Sequence, residues 1–388
     1  MKAADTLSSR VAGLPGSKIR EVADAGLGRA DVLAFWFGES DEPTPAPVRD
    51  AAARSLAAGE TFYAHNLGLP ALREAIAAYL SALHRPLGAE RVAVTSSGVT
   101  ALMVAMQLLV DAGDEIAAVV PVWPNLTAQP RILGARVRRV ALRPHDGAWA
   151  LDIDELLAAV TPRTRVLLVN APNNPTGWTL SVDAQRALLA HCRRTGTWIV
   201  ADEVYERLWF GAGPAAPSFL DQADPDDRLL VAHSFSKSFL MTGWRLGWLV
   251  APPGVTDTLG KLIEFNSSCA PVFVQRGGLA ALAIADEFVP ALVQRLRARR
   301  DQLVGALAAL PGVRVATPPG GMYAFFRFDG QDDSLAFAKR LVVDHGLGLA
   351  PGAAFGAEGE GWLRWCFASR DPQRLRDGVQ RLAGALRL

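Results

Sequence analysis

Lysine is scarce in this chain: of 40 basic residues only five are lysine, at Lys2, Lys18, Lys237, Lys261 and Lys339. Cysteine is scarcer still. Cys192, Cys269 and Cys366 are odd in number, far apart and without a CxxC spacing, which argues against a disulfide framework and for a reducing, cytoplasmic setting. The six histidines are scattered with no metal-ligand spacing, so no metal site is expected. Charge of one sign is also lacking. The net charge of +1, with no block of like charge, excludes the electrostatic footprint of a nucleic-acid binder. No apolar run approaches the roughly 20 residues of a membrane span. The segment MKAADTLSSRVAGLPGSKIR lacks the apolar core of a signal peptide. Neither a GxGxxG fingerprint nor a P-loop occurs, which leaves nicotinamide and nucleotide readings without support.

What is present is enough apolar material for a large core. At 388 residues and 50% hydrophobic, the chain is long enough for two domains. From about residue 90 to 250, short apolar runs alternate with longer amphipathic ones. Strands are expected at 91–95, 116–122, 137–142, 165–170, 197–202, 229–234 and 246–250, with helices at 99–111, 152–160 and 181–195. Near-continuous apolar strands predict a mostly parallel sheet flanked by helices, an α/β architecture. From about 285 the texture changes to a long arginine-rich helix, a strand-loop-strand in VRVATPPGGMYAFFRF, a helix at 334–346, a strand near WLRWCFA and a terminal helix. We expect an N-terminal segment 1–40 packing with the small domain, a large domain 41–284 and a smaller α+β domain 285–388.

In α/β sheets, ligands gather at the carboxyl ends of strands. Ser97, Gly98 and Val99 form a small-residue turn into a helix, where backbone N–H groups suit a phosphate. Capped helices begin this way everywhere, so the turn alone also fits plain capping. Asp202 closes the run TWIVAD, with Tyr205 three residues on; a solvated strand-end acid would look the same. Asn174 in APNNPTGW and Trp123 in PVWPN stand at other strand ends, where turn chemistry and packing are the plain accounts. Lys237, in HSFSKSFLMTGWRLGW, differs in kind. Arginine offers no free amine, whereas a lysine can be deprotonated by its surroundings and attack a carbonyl.

The ordered set GLPGSKIR, SSGVTALM, NAPNNPTGW, ADEVYERL, SFSKSFLMTGWRLGWLV and LRWCFAS resembles the class I/II aminotransferases of pyridoxal-phosphate fold-type I, across most of the chain. The resemblance implies that Lys237 forms the Schiff base with pyridoxal 5′-phosphate, while Asp202 faces the pyridine nitrogen. It implies that Tyr205 and Asn174 bond the phenolic oxygen and that Trp123 stacks on the ring. The phosphate falls to Ser97, Gly98 and Val99 with Ser234, Ser236 and Arg245. Tyr63 matches the tyrosine that reaches the neighbouring subunit's phosphate, implying a homodimer with shared active sites. Arg364 matches the arginine that grips the substrate carboxylate, and Gly38 falls where the N-terminal segment closes over substrate.

Transamination between an L-amino acid and a 2-oxo acid, with 2-oxoglutarate as acceptor, is the implied reaction. A subgroup favouring acidic side chains carries a lysine just after the glycine of the phosphate turn, where this chain has Val99. Phe35, Trp36, Phe37 and Trp178 lean the reading toward a neutral or aromatic donor, although core packing would also explain them. GESD stands where the family usually has GEPD, which leaves the shape of that loop open. The same scaffold also supports carbon–sulfur β-lyases, decarboxylases and cyclopropane-forming synthases. A non-catalytic amino-acid sensor is a remoter alternative, since this chain has neither the extra length nor the basic surface of such regulators.

Overall fold

A computed structural model of the chain describes residues 6–386. Residues 1–5 and 387–388, with Lys2 and the outer ends of the first and last expected segments, lie outside the described residues. Seven strands form one sheet in the order 92–95, 247–250, 229–234, 198–202, 164–170, 115–120, 136–141. The last five pair in parallel, and Gly247–Val250 runs against both of its neighbours.

Successive side chains of a strand point to opposite faces, and here both faces are covered. Val92, Val94, Leu167, Val169, Leu229 and Val231 enter one apolar core. Ala93, Val166, Leu168, Leu230 and Ala232 enter the other. Each fully enclosed Val or Leu contributes about 1.5–3 kcal/mol, which is why these strands carry no polar alternation. The strand expected to reach residue 122 stops at Val120, because Pro121 has no N–H to give to the ladder. Helix Ile153–Ala159 starts where Asp152 accepts from the amides of Asp154 and Glu155. Helix Val182–Thr195 is capped by Ser181 and ends at Gly196 in the left-handed region.

A second, antiparallel sheet runs in the order 313–315, 323–328, 362–366, 350–351. The long helix Ala285–Ala308 precedes it, and Ser334–His345 and Pro372–Ala385 belong to the same half of the chain. Leu33–Ala34 pairs in parallel with Leu347–Gly348, tying the N-terminal segment to this half. Helices Thr256–Ser267 and Val272–Ala283 lie outside the alternation read from the sequence. No helix among the described residues is long and apolar enough to cross a membrane.

This topology sets up one functional edge. Thr95, Asn170, Asp202 and Ser234 each end a strand that runs in the same direction, on the same side of the sheet. Gly247 pairs with both Thr95 and Ser234 at the start of the antiparallel strand, so Arg245 also comes to that edge.

Candidate active site

A cavity of about 230 Å³ lies at this edge, and most of the sequence-marked residues line it. Its floor is the turn into helix Gly98–Leu109. Ser97 holds a φ of 136°, a strained value for a side-chain-bearing residue, and its Oγ accepts from the Thr100 amide. A Cβ on Gly247 would stand 2.5 Å from the Gly98 nitrogen, and one on Gly98 would stand 3.1 Å from the Ser234 Cβ. Gly247 must be glycine for the strand ends to approach this helix N-terminus so closely, and a side chain at Gly98 would press on Ser234. Gly98, Val99, Ser234 and Ser236 line the cavity here, while buried Ser97 sits behind them. Arg245, exposed and held at φ 55°, lines the same region and donates to the Thr242 carbonyl at 2.6 Å.

Lys237 and Asp202 face the same cavity. The Lys237 Nζ donates to the Gly38 carbonyl at 2.6 Å. Burial pulls its pKa from 10.5 to about 8, with Arg364 and Arg245 acting in the same direction against Cys366 and Glu39. Asp202 is enclosed, and the hydrogen bond its carboxylate accepts, from the Val204 amide, is a long one at 3.4 Å. Burial lifts its carboxyl to about 7, only partly opposed by that amide and by Lys237. Trp123 lines the cavity too, its amide bonded to the Asn174 carbonyl at 2.9 Å.

Arg364 comes from the second sheet and is buried. Its guanidinium donates to Asn174 Oδ1 at 2.8 Å and to the Trp36 carbonyl, leaving Nε without a partner. The ring of Tyr323 lies 4.3 Å from its guanidinium carbon and that of Phe355 4.9 Å. Because the oxygen of Asn174 is occupied, its amide nitrogen remains to donate. The Tyr205 hydroxyl lies 2.6 Å from that of Tyr323, and burial drives the Tyr205 pKa well above 10.

Sequence reasoning missed Tyr323 and Asn170. Tyr323 is one of four tyrosines and follows a Gly-Gly turn; Asn170 is the polar end of an apolar strand. The Asn170 side chain binds the Asn174 amide at 2.7 Å and the Asp202 carbonyl at 3.1 Å, joining two strand ends. The aromatic residues beside the site need correction. Phe37 lines the cavity, but Phe35, Trp36 and Trp178 are buried core residues, with Phe35 packed on Trp365. Tyr63 does not reach this chain's own cavity and is 88% exposed.

Behind the cavity, a buried ionic network braces strands Trp198–Asp202 and Leu229–Ser234. His84 bridges Glu206 and Asp221 at 3.1 Å each, and His233 meets Glu206 at 3.4 Å while stacking on Trp248. Glu203, Glu206 and His233 are spaced closely enough to hold a metal, but both carboxylates already have partners. Glu203 takes Ser218 and the Phe219 amide, and Glu206 takes the two histidines. Burial lowers the His84 pKa, but Asp221 and Glu206 outweigh it and raise it from 6.5 to about 10. The contribution of His84 is therefore present below its unfolded value of 6.5 and is lost as pH rises through about 10, while the lowered Glu206 contributes above the ordinary carboxylate range and loses that contribution on acidification. His84→Gln should cost about 3–5 kcal/mol near neutral pH. It should also remove the alkaline decline between pH 6.5 and 10, as read by urea unfolding; a mutant with the parent's pH profile would refute this.

The resemblance implies pyridoxal 5′-phosphate, and the residues fit it. A glycine-lined helix N-terminus with serines and an arginine suits a phosphate. A buried carboxyl with no ion-pair partner among the described residues suits a protonated ring nitrogen, and an amine of lowered pKa suits an aldehyde. A buried arginine with an unpaired Nε suits a carboxylate.

Comparison with known proteins places the chain among relatives of one kind. The family model for aminotransferase class I and II matches residues 30–382. The aspartate aminotransferase of Pyrococcus horikoshii is 31% identical over 384 residues, covering 98% of this chain and 97% of that protein. The arginine–pyruvate transaminase of Pseudomonas aeruginosa is 34% identical over 355 residues, covering 91% and 89%. The structure of Thermus thermophilus aspartate aminotransferase with maleate superposes with a TM-score of 0.89 at 31% identity, covering 99% of this chain and all of that one.

Proposed function

The chain belongs to the class I and II aminotransferases, and on that footing we propose that the cavity bearing Lys237, Asp202, Arg245 and Arg364 is where it transfers its amino group. As a member, it is a pyridoxal-phosphate-dependent transaminase that exchanges an amino group between an amino acid and a 2-oxo acid. One observation carries the assignment of the site. Four acidic or basic side chains line one cavity, and none of them has an ion-pair partner among the described residues. The cavity thus offers two arginines to two anions, an acid to a cation and an amine to a carbonyl.

The bound cofactor supplies an aldehyde for the amino group and a ring that withdraws electrons from the Cα–H bond. Lys237 is the nucleophile and then the base that takes the Cα proton on Nζ. Asp202 would face the ring nitrogen and hold its proton there. Tyr205 and the Asn174 amide donate to the phenolic oxygen. Arg364 holds the carboxylate and so sets which Cα bond stands ready to break. The turn at Ser97, Gly98 and Val99, with Ser234, Ser236 and Arg245, would hold the phosphate, Trp123 would cover the ring, and the segment bearing Gly38 would close over the substrate.

For the donor, Ile19, Phe37, Val99 and Leu102 give the cavity an apolar wall, and its basic residues are Lys237, Arg245 and Arg364. None is left for a donor's side-chain carboxylate, which supports a neutral or aromatic donor. With Phe35, Trp36 and Trp178 in the core, the case rests on Phe37 and the aliphatic wall. Relatives named for aspartate and for arginine show that the family name does not settle the side chain. For the acceptor, 2-oxoglutarate rests on the family resemblance.

We place the functional enzyme in a homodimer with shared sites. Phe62, Tyr63 and Phe265 are each at least 85% exposed, and the Ala64 amide bonds Cys269 Sγ, so they share one face. Tyr63→Phe should raise the cofactor dissociation constant about tenfold or more, by removing a hydrogen bond to a charged group, without changing sedimentation. Unaltered affinity would remove Tyr63 from the phosphate site. Three free cysteines support a reducing, cytoplasmic location. The strand pairing between 33–34 and 347–348 supports the division into segment 1–40, large domain 41–284 and small domain 285–388.

The deciding experiment mixes the cofactor-loaded enzyme with single amino acids and follows the aldehyde-to-amine spectral change. Transamination gives one 2-oxo acid per site, no ammonia, and turnover only when an acceptor is added. Release of pyruvate and ammonia without acceptor would replace this reading with elimination.

A further inference from the structure

One buried side chain touches three parts of the site and has no role so far. Tyr323, at 1% exposure, opens strand Tyr323–Phe328 and lines the cavity. Its hydroxyl lies 2.6 Å from the Tyr205 hydroxyl, and the two rings meet edge-on at 5.7 Å. Its ring lies 4.3 Å from the Arg364 guanidinium carbon. A Cβ at residue 38 would fall 2.0 Å from its hydroxyl, so it packs against the glycine whose carbonyl accepts from Lys237.

We propose that Tyr323 is a positioning residue with two separable parts, a hydroxyl that fixes the direction of the Tyr205 proton and a ring that fixes the plane of the Arg364 guanidinium. The proposal rests on the site reading above. Each phenol has one proton, so in the 2.6 Å pair one hydroxyl donates and the other accepts. If Tyr205 spends its proton on the phenolic oxygen of the cofactor, it must accept from Tyr323. A hydroxyl that accepts a hydrogen bond becomes a stronger donor, so Tyr323 strengthens the bond that Tyr205 makes. The ring acts separately. Arg364 is anchored at two nitrogens, with the Tyr323 and Phe355 rings 4.3 and 4.9 Å from its guanidinium carbon and its buried Nε without a partner. Glycine at 38 is then required by Tyr323 itself, because any side chain there would displace the hydroxyl.

Two variants separate the parts. Tyr323→Phe keeps the ring and loses the hydroxyl; Tyr323→Leu loses both. In the cofactor-loaded enzyme, the pH titration of the visible band should move up by about half a unit in both variants, because a weaker donor leaves the chromophore more basic. The dissociation constant of a 2-methyl amino acid, which has no Cα proton to lose, should stay within twofold in Tyr323→Phe. It should rise about tenfold in Tyr323→Leu, the effect of losing a desolvated cation–π contact. A Phe variant that titrates with the parent overturns the role of the hydroxyl, and a Leu variant that binds the analogue as tightly as the parent overturns that of the ring. A parent protein that shows no visible band with added pyridoxal phosphate fails at the site reading itself, and Tyr323's role falls with it.

Discussion

Lys237→Ala should lower kcat by about four orders of magnitude and abolish the visible band of the lysine-linked cofactor, because in the proposed site one amine is both nucleophile and base. The amine suits both tasks. Burial has brought it to about 8, so a substantial fraction is unprotonated in the mildly alkaline range. Lys237→Arg separates charge from chemistry. It keeps a cation against the Gly38 carbonyl but offers no free amine, and it should be as inactive as the alanine variant. Stability should move the other way. A lysine whose folded pKa lies below its unfolded value of 10.5 penalises the fold fully below about pH 8, and the penalty vanishes as pH rises past 10.5. The cofactor-free Lys237→Ala protein should therefore melt no lower than the parent at pH 7, as calorimetry would show. Measurable transaminase activity in either variant, beyond a residue of contaminating parent enzyme, would take the assignment away from Lys237.

The sheet was legible because its strands are buried on both faces and therefore read as unbroken apolar runs. The polar residues that stop those runs are the ones that reach the cavity, so Asp202 and the Ser97–Gly98 turn could be marked by position alone. Lys237 could be marked by residue type in a chain that otherwise writes arginine. Burial of large aromatics was not legible. Phe35, Trp36 and Phe37 are consecutive, yet the first two enter the core and the third lines the cavity. Their outcome depends on the pairing of residues 33–34 with 347–348, which no local pattern announces. Tyr323 was hidden for a similar reason. Its partners Tyr205, Arg364 and Gly38 lie in other elements, 41 to 285 residues away, and its own surroundings read as an ordinary apolar strand. The His84 network is likewise assembled from residues 84, 206, 221 and 233, each unremarkable alone.

Arg364→Ala should raise the amino-acid KM roughly 30-fold to a few thousand-fold, the equivalent of the 2–5 kcal/mol lost when one partner of a buried, hydrogen-bonded charge pair is removed. The visible band should persist, since Lys237 and the phosphate residues are untouched. The position of the arginine makes the substitution informative. It is 2% exposed, it holds Asn174 through Oδ1, and it is the lining cation that the second sheet contributes. Losing it frees the Asn174 oxygen to rotate, so kcat should fall as well, though by less than KM rises. Arg364→Lys tests geometry against charge. An ammonium cannot present two parallel N–H groups to a carboxylate or lie flat between two rings, so it should recover less than a tenth of the lost kcat/KM. An Arg364→Ala enzyme with an unchanged KM would mean that the carboxylate binds elsewhere, and Arg245 would be the first residue to test in its place.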